Sequence, residues 1–374
     1  MGYNAFGQLG DNTLLSRSVP TAVQGVSGMT KGVIGAVHTL VFGNNSSVMA
    51  WGYNGFGQLG NGTSGSTAYS ATPVKVPLGA PVTDIAAGGY HSLAVAGGVI
   101  NAWGYNGYGQ LGNDTTTTAT TRVKITDAVE GPLGTASQVA AGGTHSMALV
   151  GGSVYTWGNN ASGQLGFSNN TTSNLSILKP RKVLSLPGAG GQVEQIAAMA
   201  RASLALEVVE VGGNITGQTL WGWGYNGAGE LGADPTALPF TPNPVPLFSK
   251  TDINANTVVI KDFSAGLNHV LLLLGERDND GSDGSWKVQA LGYNYFGQLG
   301  NNTNVNSFEL VYTSLDGTID LTGVTKIVAF GNHSFALVNG VWYGWGNNNT
   351  GQLGNPAPTS SAGNPKIPVR VQGF

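Results

Sequence analysis

Residues 103–112 read Trp103-Gly104-Tyr105-Asn106-Gly107-Tyr108-Gly109-Gln110-Leu111-Gly112. The last nine follow a pattern, Gly-x-Asn-x-x-Gly-Gln-Leu-Gly, that starts seven times, at Gly2, Gly52, Gly104, Gly158, Gly224, Gly292 and Gly346. One copy departs, with Glu230 where the others carry Gln. Successive copies lie 50 to 68 residues apart, and repetition at such an interval marks a repeat architecture.

Two further signatures travel with the nonapeptide. Before it runs an apolar segment ending in Trp51, Trp103, Trp157, Trp223 or Trp345, with Leu291 in the sixth copy and Met1 in the first. Earlier still comes a turn of small residues followed by His and an apolar run, as in Gly88-Gly89-Tyr90-His91-Ser92-Leu93-Ala94-Val95. These hairpins centre on His38, His91, His145, Ala202 (where His is replaced), His269 and His333. After the nonapeptide come a polar loop and a Pro/Val segment such as Pro73-Val74-Lys75-Val76 or Pro368-Val369-Arg370-Val371. Each unit therefore predicts about four short antiparallel strands, and no stretch keeps a helical period between caps. Seven such sheets describe an all-β propeller, whose radial packing protects strand edges. A β-solenoid, the alternative, uses shorter units.

Seven nonapeptides and seven Pro/Val segments accompany only six hairpins, three strands short of seven complete blades. Residues 1–374 are expected to be one propeller domain cut from a longer repeat region. The missing strands would lie before Met1, after Phe374, or both; a six-bladed ring with a leftover strand is the competing account.

Composition narrows the function. Glycine supplies 60 of 374 residues and charged residues only 9%, yet 41% of the chain is hydrophobic. Disordered chains are poor in apolar residues, and collagen needs Gly at every third position, so neither fits. The net charge is −3 and the charges are scattered. Without a basic stripe, nucleic acid and anionic membranes are not expected partners. There is no cysteine, which removes disulfides, thiol nucleophiles and Cys-ligated metals. The longest strongly apolar run, 270–274, falls far short of the roughly 20 residues of a membrane helix, so no membrane insertion is expected.

The string Trp-Gly-x-Asn-x-x-Gly-Gln-Leu-Gly, beside Ala-Gly-Gly-x-His-Ser-Leu-Ala at 87–94, resembles the repeat of the RCC1 (regulator of chromosome condensation) family. The resemblance covers nearly the whole chain. It implies a seven-bladed propeller and a habit of binding proteins. It leaves the activity open, because function lives in sites grafted on a fold.

Most repeated positions read as structural. The motif Asn can bond the turn backbone, the glycines supply positive φ, and the Leu and Trp side chains fill gaps between blades. The five histidines occupy one repeat position on different blades. Metal ligands must converge to about 2 Å from one ion, so each His is expected to bond its own turn instead. No Gly-x-Ser-x-Gly and no paired carboxylates occur, so neither enzyme activity nor a cofactor is expected. In Asp278-Asn279-Asp280-Gly281-Ser282-Asp283 the alternating oxygen side chains resemble the start of a calcium loop, with Asp278, Asp280 and Asp283 as candidate ligands. The closing Glu is absent, and a solvated acidic hairpin tip is the other reading.

Candidate partner-binding residues lie at the fifth motif place, which varies while the frame stays fixed. It holds Phe6, Phe56, Tyr108 and Phe296, with Tyr295 adjoining, against Ser162, Ala228 and Thr350 in the other copies. Aromatic anchors on rigid turns act as interface hot spots; the alternative is that they cover the neighbouring blade. Loops 61–72, 113–121, 167–178, 233–243 and 355–367 form a second candidate set. The expected function is a non-catalytic, monomeric scaffold that binds another protein, bacterial and extracellular or at the cell surface, a cytoplasmic setting being the other. By family analogy the alternatives are a guanine-nucleotide exchange factor or chromatin-type regulator, and an inhibitor of a secreted enzyme such as a β-lactamase.

Overall fold

The computed structural model describes residues 1–43, 47–167, 176–183, 186, 191–251, 258–276, 286–356 and 363–373. Among them there is no α-helix, and six antiparallel four-stranded sheets succeed one another. The first blade holds β1 (Met29–Ile34), β2 (His38–Gly43), β3 (Val48–Tyr53) and β4 (Tyr69–Val76). The second holds β5 (Val82–Ala87), β6 (His91–Ala96), β7 (Val99–Gly104) and β8 (Ala119–Ile125). A two-stranded ribbon, β9 (Asp127–Ala128) with β10 (Gly131–Pro132), leads to the third: β11 (Ala136–Ala141), β12 (His145–Val150), β13 (Ser153–Asn159) and β14 (Ser176–Lys182). The fourth is the longest, with β15 (Gln192–Ala198), β16 (Ala202–Val211), β17 (Asn214–Tyr225) and β18 (Phe240–Thr251). The fifth holds β19 (Val258–Ala265), β20 (His269–Glu276), β21 (Lys287–Gly292) and β22 (Ser307–Tyr312). The sixth holds β23 (Val324–Phe330), β24 (His333–Val338), β25 (Val341–Gly346) and β26 (Val369–Arg370).

The first strands of successive blades touch one another, which sets them around the axis. Each carries a bulge, with register shifts such as Val82/Asp84 and Ala136/Gln138. The bulge aims the following side chain at the next blade. Asp84 accepts from Val139 N at 2.9 Å, and Gln138 Oε1 accepts from Ile196 N at 3.3 Å. A central channel of about 790 Å³ runs inside, lined by groups of both signs, including Lys31, Asp84, Glu194 and Lys261. The second strands lie between blades. Strands covered on both faces need continuous apolar runs, and β6 and β12 are buried at every residue.

The first nonapeptide belongs to a seventh position in the ring. Gly2 N donates to Arg17 O at 2.6 Å and Arg17 N to Gly2 O at 3.0 Å, an isolated bridge at the place of third and fourth strands. Gly2 packs on Gln352 as Gly104 packs on Gln58, and Gly351 packs on Ser18 as Gly57 packs on Thr120. Met1 Sδ sits over Gly354 where the Trp103 indole sits over Gly60. Six blades are therefore complete. The seventh position holds only this outer half among the described residues.

One set of bonds clamps the blades together. His38 Nε2 lies 2.9 Å from Ser92 Oγ of the next blade, and His91–Ser146, His145–Ser203 and His269–Ser334 repeat this at 2.9 to 3.0 Å. Each of these serines donates its proton at 2.8 Å to a motif Gln carbonyl, of Gln58, Gln110, Gln164 or Gln298. The same carbonyls accept from Trp103, Trp157, Trp223 and Trp345 Nε1 at 2.9 to 3.0 Å. The histidine bond thus crosses to the next blade, correcting the expectation of a bond to its own turn.

The junction between the fourth and fifth blades departs as a unit. Ala202 replaces His, Val270 replaces Ser, Leu291 replaces Trp and Glu230 replaces Gln. Met199 stands where Gly35, Gly88, Gly142 and Gly266 stand elsewhere. A Cβ at those glycines would meet the His Cε1 at 2.2 to 2.5 Å, and the methionine stands where the imidazole is gone; in the sixth blade Phe330 holds this place beside His333, with ring centroids 5.8 Å apart. Met199, Ala202, Val270 and Leu291 share one apolar cluster with Leu204, Leu231 and Phe263.

Candidate protein-binding surface

The nonapeptide turn is built the same way seven times. The motif Asn Oδ1 accepts from the Leu N five residues on, as in Asn54 with Leu59 at 3.0 Å and Asn106 with Leu111 at 2.9 Å. Its Nδ2 reaches into the polar loop beyond, donating to Thr63 O, Thr115 O or Thr303 O at 2.9 to 3.2 Å. The motif Gln Oε1 accepts from the backbone N of the fifth place: Phe6, Phe56, Tyr108 and Phe296 at 2.9 to 3.0 Å. The following Gly, at φ between +74° and +83°, presses on the outer strand of the next blade. That backbone leaves the fifth side chain at the surface on a fixed support.

Aromatic rings fill that surface on one side. Phe6 packs on Tyr53 with centroids 4.9 Å apart, and Phe56 on Tyr105 at 4.9 Å, each contact crossing from one copy to the next. Tyr53 meets Phe56 at 6.4 Å, Tyr90 meets Phe56 at 5.3 Å, and Tyr105 meets Tyr108 at 6.3 Å. With Tyr3 beside Phe6 at 6.4 Å, seven rings form one unbroken row. Edge-to-face and tilted pairs at these distances suit the aromatic quadrupole. Tyr3, Tyr90 and Tyr108 are 48%, 39% and 41% exposed, while Phe6 and Phe56 are half-buried.

Phe6, Phe56 and Tyr108 are thus brought together in one row, in which Phe6 and Phe56 cover rings of the next copy and Tyr108 rests on Tyr105 of its own. Tyr295 and Phe296 form a separate group with Tyr293, centroids 5.1 to 6.4 Å apart. Asn347 and Thr350 of the seventh copy separate that group from the row along the ring. Sequence reasoning missed Tyr3, Tyr53, Tyr90 and Tyr105. The signal was present at the second motif place, which is Tyr in five of seven copies. In three copies that Tyr lies over a Gly at the fourth place: a Cβ on Gly55, Gly107 or Gly227 would meet the phenol oxygen at 2.1 to 2.2 Å.

Beyond the row the character changes. Arg201 stacks on Tyr225 with its guanidinium 3.8 Å from the ring centroid. Beneath, Glu230 accepts from Ala228 N at 2.7 Å and from Asn268 Nδ2 at 2.9 Å. Burial pushes the Glu230 carboxyl above its usual range, against those hydrogen bonds.

The buried His–Ser pairs invite comparison with catalytic dyads. Because each Ser gives its proton to a Gln carbonyl, the His Nε2 must donate to the Ser oxygen, so the ring cannot take that proton as a base. Burial also holds His38, His91, His145 and His269 neutral, at about 4, 3, 4 and 3. The acidic residues Asp278, Asp280 and Asp283 lie outside the described residues. Among the described residues no group of three His, Asp or Glu is placed to hold a metal, and no helix is long and apolar enough to cross a membrane.

Comparison with known proteins agrees with the geometry. The sequence profile of the RCC1-like domain matches residues 1–373. The ultraviolet-B receptor UVR8 of Arabidopsis thaliana is 30% identical over 355 residues, 93% of this chain and 72% of that protein. The mitochondrial RCC1 domain-containing protein RUG3 of the same plant is 31% identical over 281 residues, 73% of this chain and 55% of that protein. Among solved structures, Prp20p from Saccharomyces cerevisiae superposes with a TM-score of 0.73 at 23% identity, over 100% of this chain and 85% of that one. Human WBSCR16 gives 0.74 at 22% identity, over 100% and 92%. At these identities the two structures bear on the fold alone.

Proposed function

The chain belongs to the RCC1-like domain family, and from that premise we propose that it is a non-catalytic protein-binding scaffold whose contact surface is the aromatic row from Tyr3 to Tyr108. The observation that carries this reading is the row itself. Seven rings from three successive copies, on turns fixed by their own Asn and Gln bonds, lie in edge-to-face and tilted contact with three of them well exposed. Rigid aromatic side chains lose little conformational freedom on binding and dominate interface energetics. By analogy with Prp20p, a protein of the same fold that binds Gsp1p and histones, the ligand class we assign is a protein. We place it in an extracellular or cell-surface setting, a reading that rests on the low charge and the abundance of Asn, Thr and Gly.

The test is affinity capture from the source organism by the wild-type chain and by a Tyr53→Ser/Phe56→Ser/Tyr108→Ser variant of matched fold by circular dichroism. Proteins held by the first and lost by the second are expected. Equal capture of the same proteins by both would overturn the reading.

A further inference from the structure

The five rings from Tyr53 to Tyr108 belong to the first and second blades, both complete, and their surroundings restrict what a bound partner can offer. Neighbouring planes along this stretch are inclined by 57° to 76°, so faces and edges alternate at the surface. The Tyr53 and Tyr105 phenol oxygens lie directly over Gly55 and Gly107, in the space a Cβ would take. Among the described residues the hydroxyls of Tyr53, Tyr90, Tyr105 and Tyr108 have no hydrogen-bond partner, and none of the four is sealed from solvent.

The main chain beside these rings is already committed to the fold. Tyr53 N donates to Val37 O and Tyr105 N to Tyr90 O, both at 2.9 Å. Phe56 N and Tyr108 N donate to Gln58 and Gln110 Oε1 at 2.9 Å. β3 and β7, which lead into the two turns, are paired on both sides. A partner strand therefore finds no edge to extend. A partner helix bonds its own carbonyls along its length and brings nothing for the four hydroxyls to donate to. No charged side chain stands at the second, fourth or fifth place of these two motif copies, or in the pairs Ala36-Val37 and Gly89-Tyr90 before the histidines. The complement of such a surface is an uncharged, extended chain with outward carbonyls, apolar rings and few N–H groups to satisfy. A polyproline II segment has that character, because its main chain carries no internal hydrogen bonds and proline has no N–H.

We propose that the surface from Tyr53 to Tyr108 binds a proline-rich segment of the partner protein in the polyproline II conformation, its pyrrolidine rings lying on the aromatic rings and its carbonyls accepting from the tyrosine hydroxyls. This rests on the reading of the row as the contact surface and names what that surface recognises. Proline-rich segments suit aromatic-lined surfaces because the extended helix is preformed and loses little entropy on binding. Tyr90 and Tyr108, 39% and 41% exposed, offer the most open rings. Phe56 and Tyr105 join them into a continuous track.

The probe is decaproline, acetylated and amidated to remove its terminal charges, titrated calorimetrically into the 374-residue protein. Saturable one-to-one binding is expected, and a Gly-Ser decapeptide, flexible and without rings, should show none. Tyr90→Ser and Tyr108→Ser should each weaken decaproline about tenfold. Tyr108→Phe, which keeps the ring and removes one hydroxyl, should weaken it about two- to tenfold. Both residues are exposed, so these variants should melt as the wild type does. No saturable binding of decaproline, equal binding of the Gly-Ser peptide, or indifference to Tyr90→Ser and Tyr108→Ser would overturn the proposal. Tighter binding of maltoheptaose, a neutral chain that also stacks on rings, would overturn it in favour of a glycan. If decaproline fails while the Tyr53→Ser/Phe56→Ser/Tyr108→Ser variant still loses captured proteins, the proline-rich segment falls and the contact surface stands. Decaproline that binds through Tyr90 and Tyr108 supports the segment even where capture is unchanged, so the two readings fail separately.

Discussion

Ala202 of the fourth blade and Val270 of the fifth lie in one apolar cluster at the places that His and Ser hold at the other four junctions between complete blades. Each exchange should cost stability alone. Val270→Ser removes fully buried apolar packing from the cluster, and Ala202→His crowds an imidazole against Met199. Each single variant should lose about 1–3 kcal/mol. The triple variant Met199→Gly/Ala202→His/Val270→Ser should recover much of the loss. Urea unfolding checks this, and simple addition of the single losses would show that the three sites are not coupled.

Acid should weaken the ring before the carboxylates titrate. Burial lowers His38, His91, His145 and His269 from 6.5 to about 4, 3, 4 and 3. Above pH 6.5 these groups are neutral in both states and contribute no pH dependence. Between 6.5 and about 4 the unfolded chain takes up protons that the folded one refuses, so stability falls as pH falls, by up to about 1.4 kcal/mol per pH unit for each His. Asp11, held near 2 by its bonds to Thr13 and Arg17 against the opposing effect of burial, acts lower, below its ordinary 3.8. Tm measured from pH 7.5 to 4.5 should drop steadily below 6.5. A flat profile down to pH 5 would mean that the imidazoles are not sealed.

The order of these elements was legible because seven motif copies punctuate the chain, and the shortage of hairpins already pointed to an incomplete seventh unit. What the sequence concealed was which copy faces which. His91 looks like a partner for its own glycine turn until the ring brings Ser146 to its Nε2. The departures at Met199, Ala202, Glu230, Val270 and Leu291 likewise look unrelated when spread over 93 residues. Tyr53 and Tyr105 were hidden for the opposite reason: a residue shared by most copies reads as part of the frame. The row emerges only when Phe6 and Phe56 are seen to rest on those tyrosines.

Glycine at the sixth motif place answers to crowding as well as to dihedral. Gly57 and Gly25 have φ of +79° and +75°, but a Cβ on Gly57 would lie 2.7 Å from Thr120 Cα, while nothing stands within 4 Å of one on Gly25. Gly25→Ala should cost about 1 kcal/mol for the left-handed backbone alone. Gly57→Ala adds an overpacking cost of about 1–3 kcal/mol, because the obstacle is main chain of the next blade. Equal losses in denaturant melts would show that the blades can separate to admit a methyl.

The aromatic row should divide into members that hold the fold and members free to bind. Phe56 and Tyr105, 4.9 Å apart across two blades, should show a coupling of about 0.5–1.5 kcal/mol in a double-mutant cycle on stability. Tyr108, 41% exposed at the end of the row, touches Tyr105 alone among the rings, so Tyr108→Ser should change stability by no more than about 0.5 kcal/mol. If the row is a contact surface, that quiet substitution should still lower partner affinity at least tenfold, an effect typical of a hot-spot tyrosine. A Tyr108→Ser chain that melts and binds as the wild type does would place the contact elsewhere, with the loops after the nonapeptides as the next surface to probe.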